Sequence, residues 1–405
     1  MAIYDIIISI QKSMHKNALT LLGYCLEFSI PAPVLEYAAK GVLDRHGGLG
    51  DIESLPWKTR MLIAKKVANA LTSPIPIIHK SSVLRNGSML LEDLIASCDG
   101  KSNPIRTYSA DELVKATDNF NPSCLISEDS FYQVFRGFLD DRSVLIKKYF
   151  EGRSHGDDEV TSMAIRDIIV SMQMSTHKNA LKLLGCCLEF SIPALVLEYA
   201  AKRVLDPYGG LGFSGSLPWK TRMLIAKKVA NALAYLHTAF PRPIIHRDLN
   251  SSCIFLGHDY VPKLTNFSLS ISIPPMQSHV EDLPKGTFGY LDPSYMKSGY
   301  ITEKSDVYSF GVHLLVFLTG QKALVKYDTI EYQSIIAYVK RHVSEIGQIQ
   351  TIVDPKIKED VGRDEQVQRQ LQDFLQLALS CTQEESERRP YMTDVARELV
   401  RIDKI

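Results

Sequence analysis

The chain has 405 residues, with 46 Lys and Arg against 46 Asp and Glu and 45% hydrophobic residues. That composition fits a globular protein with a sizeable core, and the charge balance gives no reason to expect nucleic acid or an anionic membrane as partner. Seven cysteines without a C-x-x-C pair predict free thiols in a reducing, intracellular compartment.

The opening MAIYDIIISIQK is too short an apolar run, and wrongly flanked, for a secretory signal; Ala2 excludes N-myristoylation at this start. From Asp5 the chain reads DIIISIQKSMHKNALTLLGYCLEFSIPAPVLEYAAKGVLD, which returns from Asp167 as DIIVSMQMSTHKNALKLLGCCLEFSIPALVLEYAAKRVLD. SLPWKTRMLIAKKVANAL then follows from both Ser54 and Ser216. Two long, nearly identical copies point to a recent partial duplication or a fused gene, unlike the many short degenerate units of a solenoid. The first copy ends at His79-Lys80, where the second goes on as His246-Arg247-Asp248. Residues 1–82 are therefore expected to be a truncated duplicate of segment 167–248, poorly ordered because its apolar faces have no complete core to enter. A second lobe docking on the first is the competing reading. Residues 83–107, which include Gly100 and Pro104, are expected as linker.

The main domain is expected over 108–402. Ser109 and Glu112 form an S-x-x-E capping box, with Tyr108 and Leu113 placed for a hydrophobic staple. SVLIKKY (143–149) alternates as a strand should. Trp219, Met223, Ala226, Ala230 and Leu233 recur at three- and four-residue steps, the mark of one buried helix face. VYSFGVHLLVFLTG (307–320) is shorter than a membrane span requires and reads as a buried helix.

Five segments in order carry a resemblance: ELVKATDNF, LKLLGCCLEF, GTFGYLDPSY, TEKSDVYSFGVHLLVFLTGQKA and CTQEESERRPYM. From about Tyr108 to Ile402 the chain resembles a eukaryotic protein kinase of the plant receptor-like group. The resemblance implies an α+β, two-lobed protein-kinase fold with an N-terminal partial duplicate. A small β-rich N-lobe would span about 108–199 and a larger helical C-lobe about 200–402.

The family's catalytic parts match residue by residue. SEDSFYQVFRG (127–137) stands where the glycine-rich phosphate loop belongs, with Ser127, Asp129 and Tyr132 at the three glycine positions. Side chains there obstruct the close approach of backbone amides to phosphate, and Glu128 and Asp129 repel it. Lys147 matches the lysine that pairs with nucleotide phosphates, and Asp167 its acidic helix partner, one methylene shorter than the family's glutamate. Asp248 keeps the catalytic-base position. Asn250 replaces a lysine that many Ser/Thr kinases set against the transferring phosphate. Cys253 replaces a magnesium-binding asparagine, and Asn266-Phe267-Ser268 replaces Asp-Phe-Gly. A soft thiol and a neutral amide suit a hard cation poorly. Each loss of about 1.4 kcal/mol at the transition state costs a factor of ten in rate, and a metal supplies several times that.

The matched residues point to a pseudokinase in which Asp248 is vestigial, no metal is held and no cofactor is required. ATP would bind weakly, without well-held magnesium. Two alternatives stay open: a weakly active Ser/Thr kinase working through Lys147 and Asp248, and a switch that binds ATP and transfers nothing. Ser294 of DPSY replaces a glutamate that pairs in the family with a lower-lobe arginine, matched here by Arg389. A looser segment is expected there.

EDLIASCDGKSNPIR, ATDNF and HKNALKLLGCCLEF together resemble a small family of plant receptor-like cytoplasmic pseudokinases. Its members are adaptors for a coiled-coil nucleotide-binding leucine-rich-repeat immune receptor, sensing bacterial effectors directly or by docking modified active kinases. The resemblance thus implies a role in plant immune signalling with three protein partners: that receptor, active receptor-like cytoplasmic kinases and a bacterial effector. It implies no nucleic acid, no transmembrane segment, and a cytoplasmic location that reaches the plasma membrane only through partners. The segment SLSISIPPMQSHVEDLPKGTFGY (268–290), with Ser270, Ser272 and Ser278 near Glu281 and Asp282, is expected to be an exposed docking or modification site.

Overall fold

The computed structural model describes residues 21–25, 32–35, 82, 85–87, 89–90, 105–152, 156–200, 203–210, 215–326, 331–346, 349–361 and 364–405. The chain divides into two compact units, Met1–Gln173 with Leu183–Leu197, and Met174–Lys182 with Glu198–Ile405.

Six strands build the first unit's sheet. β1 (Arg106–Thr107), β2 (Leu125–Glu128), β3 (Tyr132–Leu139), β4 (Arg142–Tyr149), β5 (Leu183–Cys187) and β6 (Ala194–Glu198) lie in the order β1-β5-β6-β4-β3-β2. The β3–β4 hairpin turns at Asp140 and Asp141, with φ of 50° and 57°; two successive left-handed residues give a turn whose twist matches that of the strands. The resulting register sets Val134 opposite Lys147 and Tyr132 opposite Tyr149. α1 (Ala110–Ala116) starts on the anticipated capping box, since Ser109 Oγ accepts from Glu112 N at 3.2 Å and Glu112 Oε2 from Ser109 N at 2.7 Å. Tyr108 and Leu113 lie in one core cluster with Val144, Ile146, Cys187 and Val196, each buried aliphatic contributing about 1.5–3 kcal/mol. α2 (Asp157–Met174) opens with Asp157, Asp158 and Glu159, charges that favour a helix N-terminus.

Of residues 1–81, only a hairpin is described. Leu21–Cys25 pairs antiparallel with Ala32–Leu35, Leu21 opposite Leu35 and Cys25 opposite Ala32. β5 and β6 pair in the same register, Leu183 opposite Leu197 and Cys187 opposite Ala194. Like residues thus form like ladders; the rest of 1–81 lies outside the described residues. Part of the segment read as linker is packed instead. Asn86 is fully buried and donates through Nδ2 to Leu188 O at 3.1 Å and Phe190 O at 2.9 Å. Linker composition missed this because one amide and the single apolar Leu90, not an apolar stripe, are buried there.

The second unit is mainly helical. α3 (Trp219–Thr238) buries Trp219, Met223, Ala226, Ala230 and Leu233 together. β7 (Arg203–Val204), β8 (Ile254–Leu256) and β9 (Pro262–Leu264) form a small sheet in the order β9-β8-β7. The apolar run is α4 (Glu303–Thr319), capped by Thr302 and buried from Ser305 onwards. A Cβ on Gly311 would lie 2.7 Å from both Cys381 and Thr382 side-chain atoms, so glycine lets α4 approach α6 closely. α5 (Ile335–Ile346), α6 (Glu365–Cys381) and α7 (Met392–Ile402) follow, with short helices at Pro293–Ser298 and Pro355–Val361. Asp306 of α4, wholly buried, accepts from His246 N at 2.7 Å and Arg247 N at 2.8 Å, and bonds His237 Nε2 at 2.8 Å. It thereby fixes the loop that carries Asp248.

The looser segment expected at Ser294 is not found. Arg389 is buried and makes a bidentate pair with Asp292, at 2.7 Å to each carboxylate oxygen. A carboxylate two residues before Ser294 supplies the countercharge, and fork-to-fork geometry makes such a pair strong.

Candidate functional site

On the first unit, the β3–β4 register places Tyr132, Lys147 and Tyr149 on one face of the sheet. Lys147 Nζ lies 2.6 Å from Asp167 Oδ2 on α2, and Tyr149 Oη donates to the same oxygen at 2.8 Å. The ring of Tyr132 covers the ammonium, 3.6 Å from centroid to Nζ, and Tyr149 stands 5.0 Å from it. The two tyrosines meet edge to face at 5.7 Å. Lys147 is 1% exposed and Tyr132 5%. This lysine is therefore caged by one carboxylate and two aromatic faces.

The neighbouring turn carries internal hydrogen bonds. Asp129 N donates to Tyr132 O at 2.9 Å, Ser130 N to Asp129 Oδ1 at 2.5 Å, and Tyr132 Oη to Asp129 Oδ2 at 3.4 Å. Ser127 sits in β2 opposite Val134. The amides of Asp129 and Ser130 are spent within the turn, and the cation is covered. These residues do not fit a nucleotide's phosphates.

On the second unit, the loop after Asp248 forms a closed network. Asp248 Oδ1 accepts from Thr287 Oγ1 at 2.7 Å and from Asn250 Nδ2 at 3.3 Å. Asn250 Nδ2 also donates to Thr287 Oγ1 at 2.9 Å, while its Oδ1 accepts from Ser252 N at 2.8 Å. Where the family would hold a metal, Asn266 Nδ2 donates to Cys253 Sγ at 3.7 Å. Ser268 Oγ donates to Asn266 Oδ1 at 3.0 Å, and Cys253 Sγ to Asp248 O at 3.1 Å. Asn266 adopts φ 65°, a left-handed conformation that asparagine tolerates better than most residues. Phe267 is buried against His246, ring centroids 5.3 Å apart. A neutral amide, a thiol and a hydroxyl make a poor donor set for magnesium, which wants charged or carbonyl oxygens in octahedral array. The residues do not fit that ion. Among the described residues no group of three or more His, Cys, Asp or Glu is placed to hold a metal.

The structure brings Asp129, Tyr132, Lys147 and Asp167 together on one unit, and Asp248, Asn250, Cys253, Asn266 and Ser268 on the other. Sequence reasoning missed Tyr149 and Thr287. Tyr149 was legible, being two residues from Lys147 on the same strand face; Thr287 reaches Asp248 from 39 positions away, which no local pattern reveals. Buried Tyr290, its hydroxyl 3.1 Å from Ser251 Oγ, closes the floor beside this network; desolvation raises its phenol to about 12.

A family model for protein tyrosine and serine/threonine kinases matches residues 122–399. Among relatives from Arabidopsis thaliana, non-functional pseudokinase ZED1 is 44% identical over 326 residues, covering 80% of this chain and 96% of the relative. Serine/threonine-protein kinase ZRK1 is 42% identical over 324 residues, covering 79% and 92%. Inactive serine/threonine-protein kinase ZRK12 is 40% identical over 324 residues, 78% of each. Among the described residues no helix is long and apolar enough to cross a membrane.

Proposed function

The chain belongs to the protein tyrosine and serine/threonine kinase family, and on that premise we propose that it is a catalytically impaired member acting as a binding module in plant immune signalling. The observation that carries this reading is the Asn266–Cys253 contact, which turns two metal-holding positions into a neutral internal hydrogen bond. Phosphoryl transfer rests on positioning and charge stabilisation, and the metal would supply several kcal/mol of the latter. Relatives named as non-functional or inactive support the reading. Its partners are a coiled-coil nucleotide-binding leucine-rich-repeat receptor, active receptor-like cytoplasmic kinases and a bacterial effector. It works in the cytoplasm and reaches the plasma membrane through them. ATP is not required, and any that binds does so without well-held magnesium.

The second reading, a weakly active Ser/Thr kinase, is favoured by the formed Lys147–Asp167 pair and by relatives such as ZRK1 that are named serine/threonine-protein kinases. Purified protein with radiolabelled ATP, generic substrates and magnesium or manganese separates the two. No incorporation is expected; incorporation that vanishes in Asp248→Asn establishes the kinase. Co-precipitation of the full chain with a candidate receptor tests the binding role, and its absence for every receptor of that class overturns it.

A further inference from the structure

Lys147 carries a full positive charge at 1% exposure, and burial on that scale requires compensation. Asp167 supplies the countercharge at 2.6 Å. The second contribution comes from the Tyr132 ring 3.6 Å away, close enough for a strong cation–π contact in a desolvated site. Tyr132 is itself anchored, by the β3–β4 ladder opposite Tyr149 and by its hydroxyl to Asp129. The ring thus occupies the space over the ammonium in which an anionic ligand would have to sit.

We propose that Tyr132 is an intramolecular gate on Lys147. Its ring stands in for a phosphate-bearing ligand, holds the first unit in its Lys147–Asp167-paired state without one, and keeps such ligands out. The lysine is therefore retained as a structural cation, and a latent site for an oligophosphate lies beneath the ring. This is independent of whether the chain docks partners or transfers phosphate, so the test uses neither readout.

The full-length chain is compared with Tyr132→Gly, Tyr132→Phe and Tyr132→Leu. An amine-reactive ester followed by peptide mass spectrometry reads the accessibility of Lys147. Thermal melts with EDTA and either ATP or inorganic triphosphate read binding without metal, and the two ligands separate a nucleotide site from a general anion site. Wild type and Tyr132→Phe, which keeps the ring, are expected to leave Lys147 unlabelled and their melts unmoved. Tyr132→Gly is expected to label about tenfold or more faster, the factor that one desolvated cation–π contact represents, and to melt higher with ATP. Adding Lys147→Ala should abolish that shift. If Tyr132→Gly loses its cooperative melt, Tyr132→Leu, which keeps apolar volume but has no ring, carries the labelling comparison. Equal labelling of Lys147 in wild type and a folded ring-less variant overturns the gate. An ATP shift in wild type as large as in Tyr132→Gly does the same.

Discussion

Asn266 Nδ2 donates to Cys253 Sγ at 3.7 Å, so the two positions that would hold magnesium in an active relative hold each other. Ser268 Oγ on Asn266 Oδ1 and Cys253 Sγ on Asp248 O extend the chain of contacts. Writing the family's residues back in would disturb a filled site. Asn266→Asp sets a carboxylate at a position 2% exposed, with only part of its hydration replaced. The double variant Asn266→Asp, Cys253→Asn is expected to lose about 1–3 kcal/mol of stability and to gain no phosphotransfer. Calorimetry and ATP turnover check both; a double variant that turns over ATP at unchanged stability contradicts the account.

Asp292 and Arg389 form the buried ion pair that the sequence appeared to lack. Removing one partner of such a pair strands the other charge and costs about 3–5 kcal/mol. Asp292→Ala should therefore melt many degrees below wild type, whereas Ser294→Glu, which restores the family residue, should add nothing because Arg389 already has its carboxylate. A stabilising Ser294→Glu would show that the arginine is under-satisfied.

His313 of α4 is 1% exposed, and neither ring nitrogen makes a well-formed hydrogen bond, the Asn250 backbone being only a weak partner. Tyr290 and Phe317 pack on its ring, with centroids 4.8 and 6.1 Å away. Desolvation lowers its pKa from 6.5 to about 3; the charge of His246 adds to this, and the Asn250 backbone opposes it weakly. The folded state therefore keeps His313 neutral while the unfolded chain protonates it below 6.5. Its contribution is intact above that pH and is lost progressively as pH falls towards 3, by roughly a kcal/mol per pH unit. His313→Leu should raise the melting temperature and flatten its decline between pH 6.5 and 4. A variant whose pH profile parallels wild type sinks the assignment.

The packing of Asn86 sets where the chain can be cut. A chain beginning at residue 82 is expected to melt like the full protein, because segment 167–248 repeats what the earlier residues encode. One beginning at Leu91 loses buried Leu90 and the Asn86 bonds to Leu188 O and Phe190 O. Those two carbonyls are then left short of a donor, at a cost of about 1–3 kcal/mol. Equal melts for the two truncations would show that Asn86 is idle, and a large drop for the first would mean that the duplicate packs on the domain.

Much of this was legible in the sequence because it is local or periodic. The α1 capping box, the buried face of α3 and the apolar α4 follow from spacing alone. The Lys147–Asp167 pair followed from matching the chain to its family. The Asp292–Arg389 pair, the Asp248–Thr287 bond and the docking of Asn86 join residues far apart in sequence, through one polar contact each, and leave no periodic trace. Tyr132 lies between these cases. Its position in the phosphate loop marked it as an obstruction, but its place over Lys147 depends on the β3–β4 register, which the Asp140-Asp141 turn sets.

The same contrast redraws the docking segment expected after Asn266-Phe267-Ser268. Ser270 is buried, with its hydroxyl donating to Phe267 O at 2.6 Å, and Ile271–Ser272 pairs with Ile244–Ile245. Val280–Glu281 pairs with Tyr300–Ile301. Arg247 then clamps the chain, donating to Asp282 Oδ2 at 2.7 Å and Leu283 O at 2.8 Å. Burial pushes the Asp282 carboxyl up, but the Arg247 guanidinium outweighs it and holds the net pKa below 3.8. That support is present above pH 3.8 and lost as pH falls through the lowered value. What remains on offer is the tip, Pro275 to Ser278, where Met276 is fully exposed, and the stretch bearing Leu283 and Phe288, 76% and 72% exposed. Replacing 275–278 with Gly/Ser should leave the melt unchanged and abolish co-precipitation of an active kinase partner. Asp282→Ala should lower the melt, because it strands an arginine side chain only 5% exposed, so a wider replacement would confuse docking with folding. Undiminished recruitment by a folded tip variant moves the docking site off the tip, leaving the exposed Leu283 and Phe288 stretch as its place on this segment.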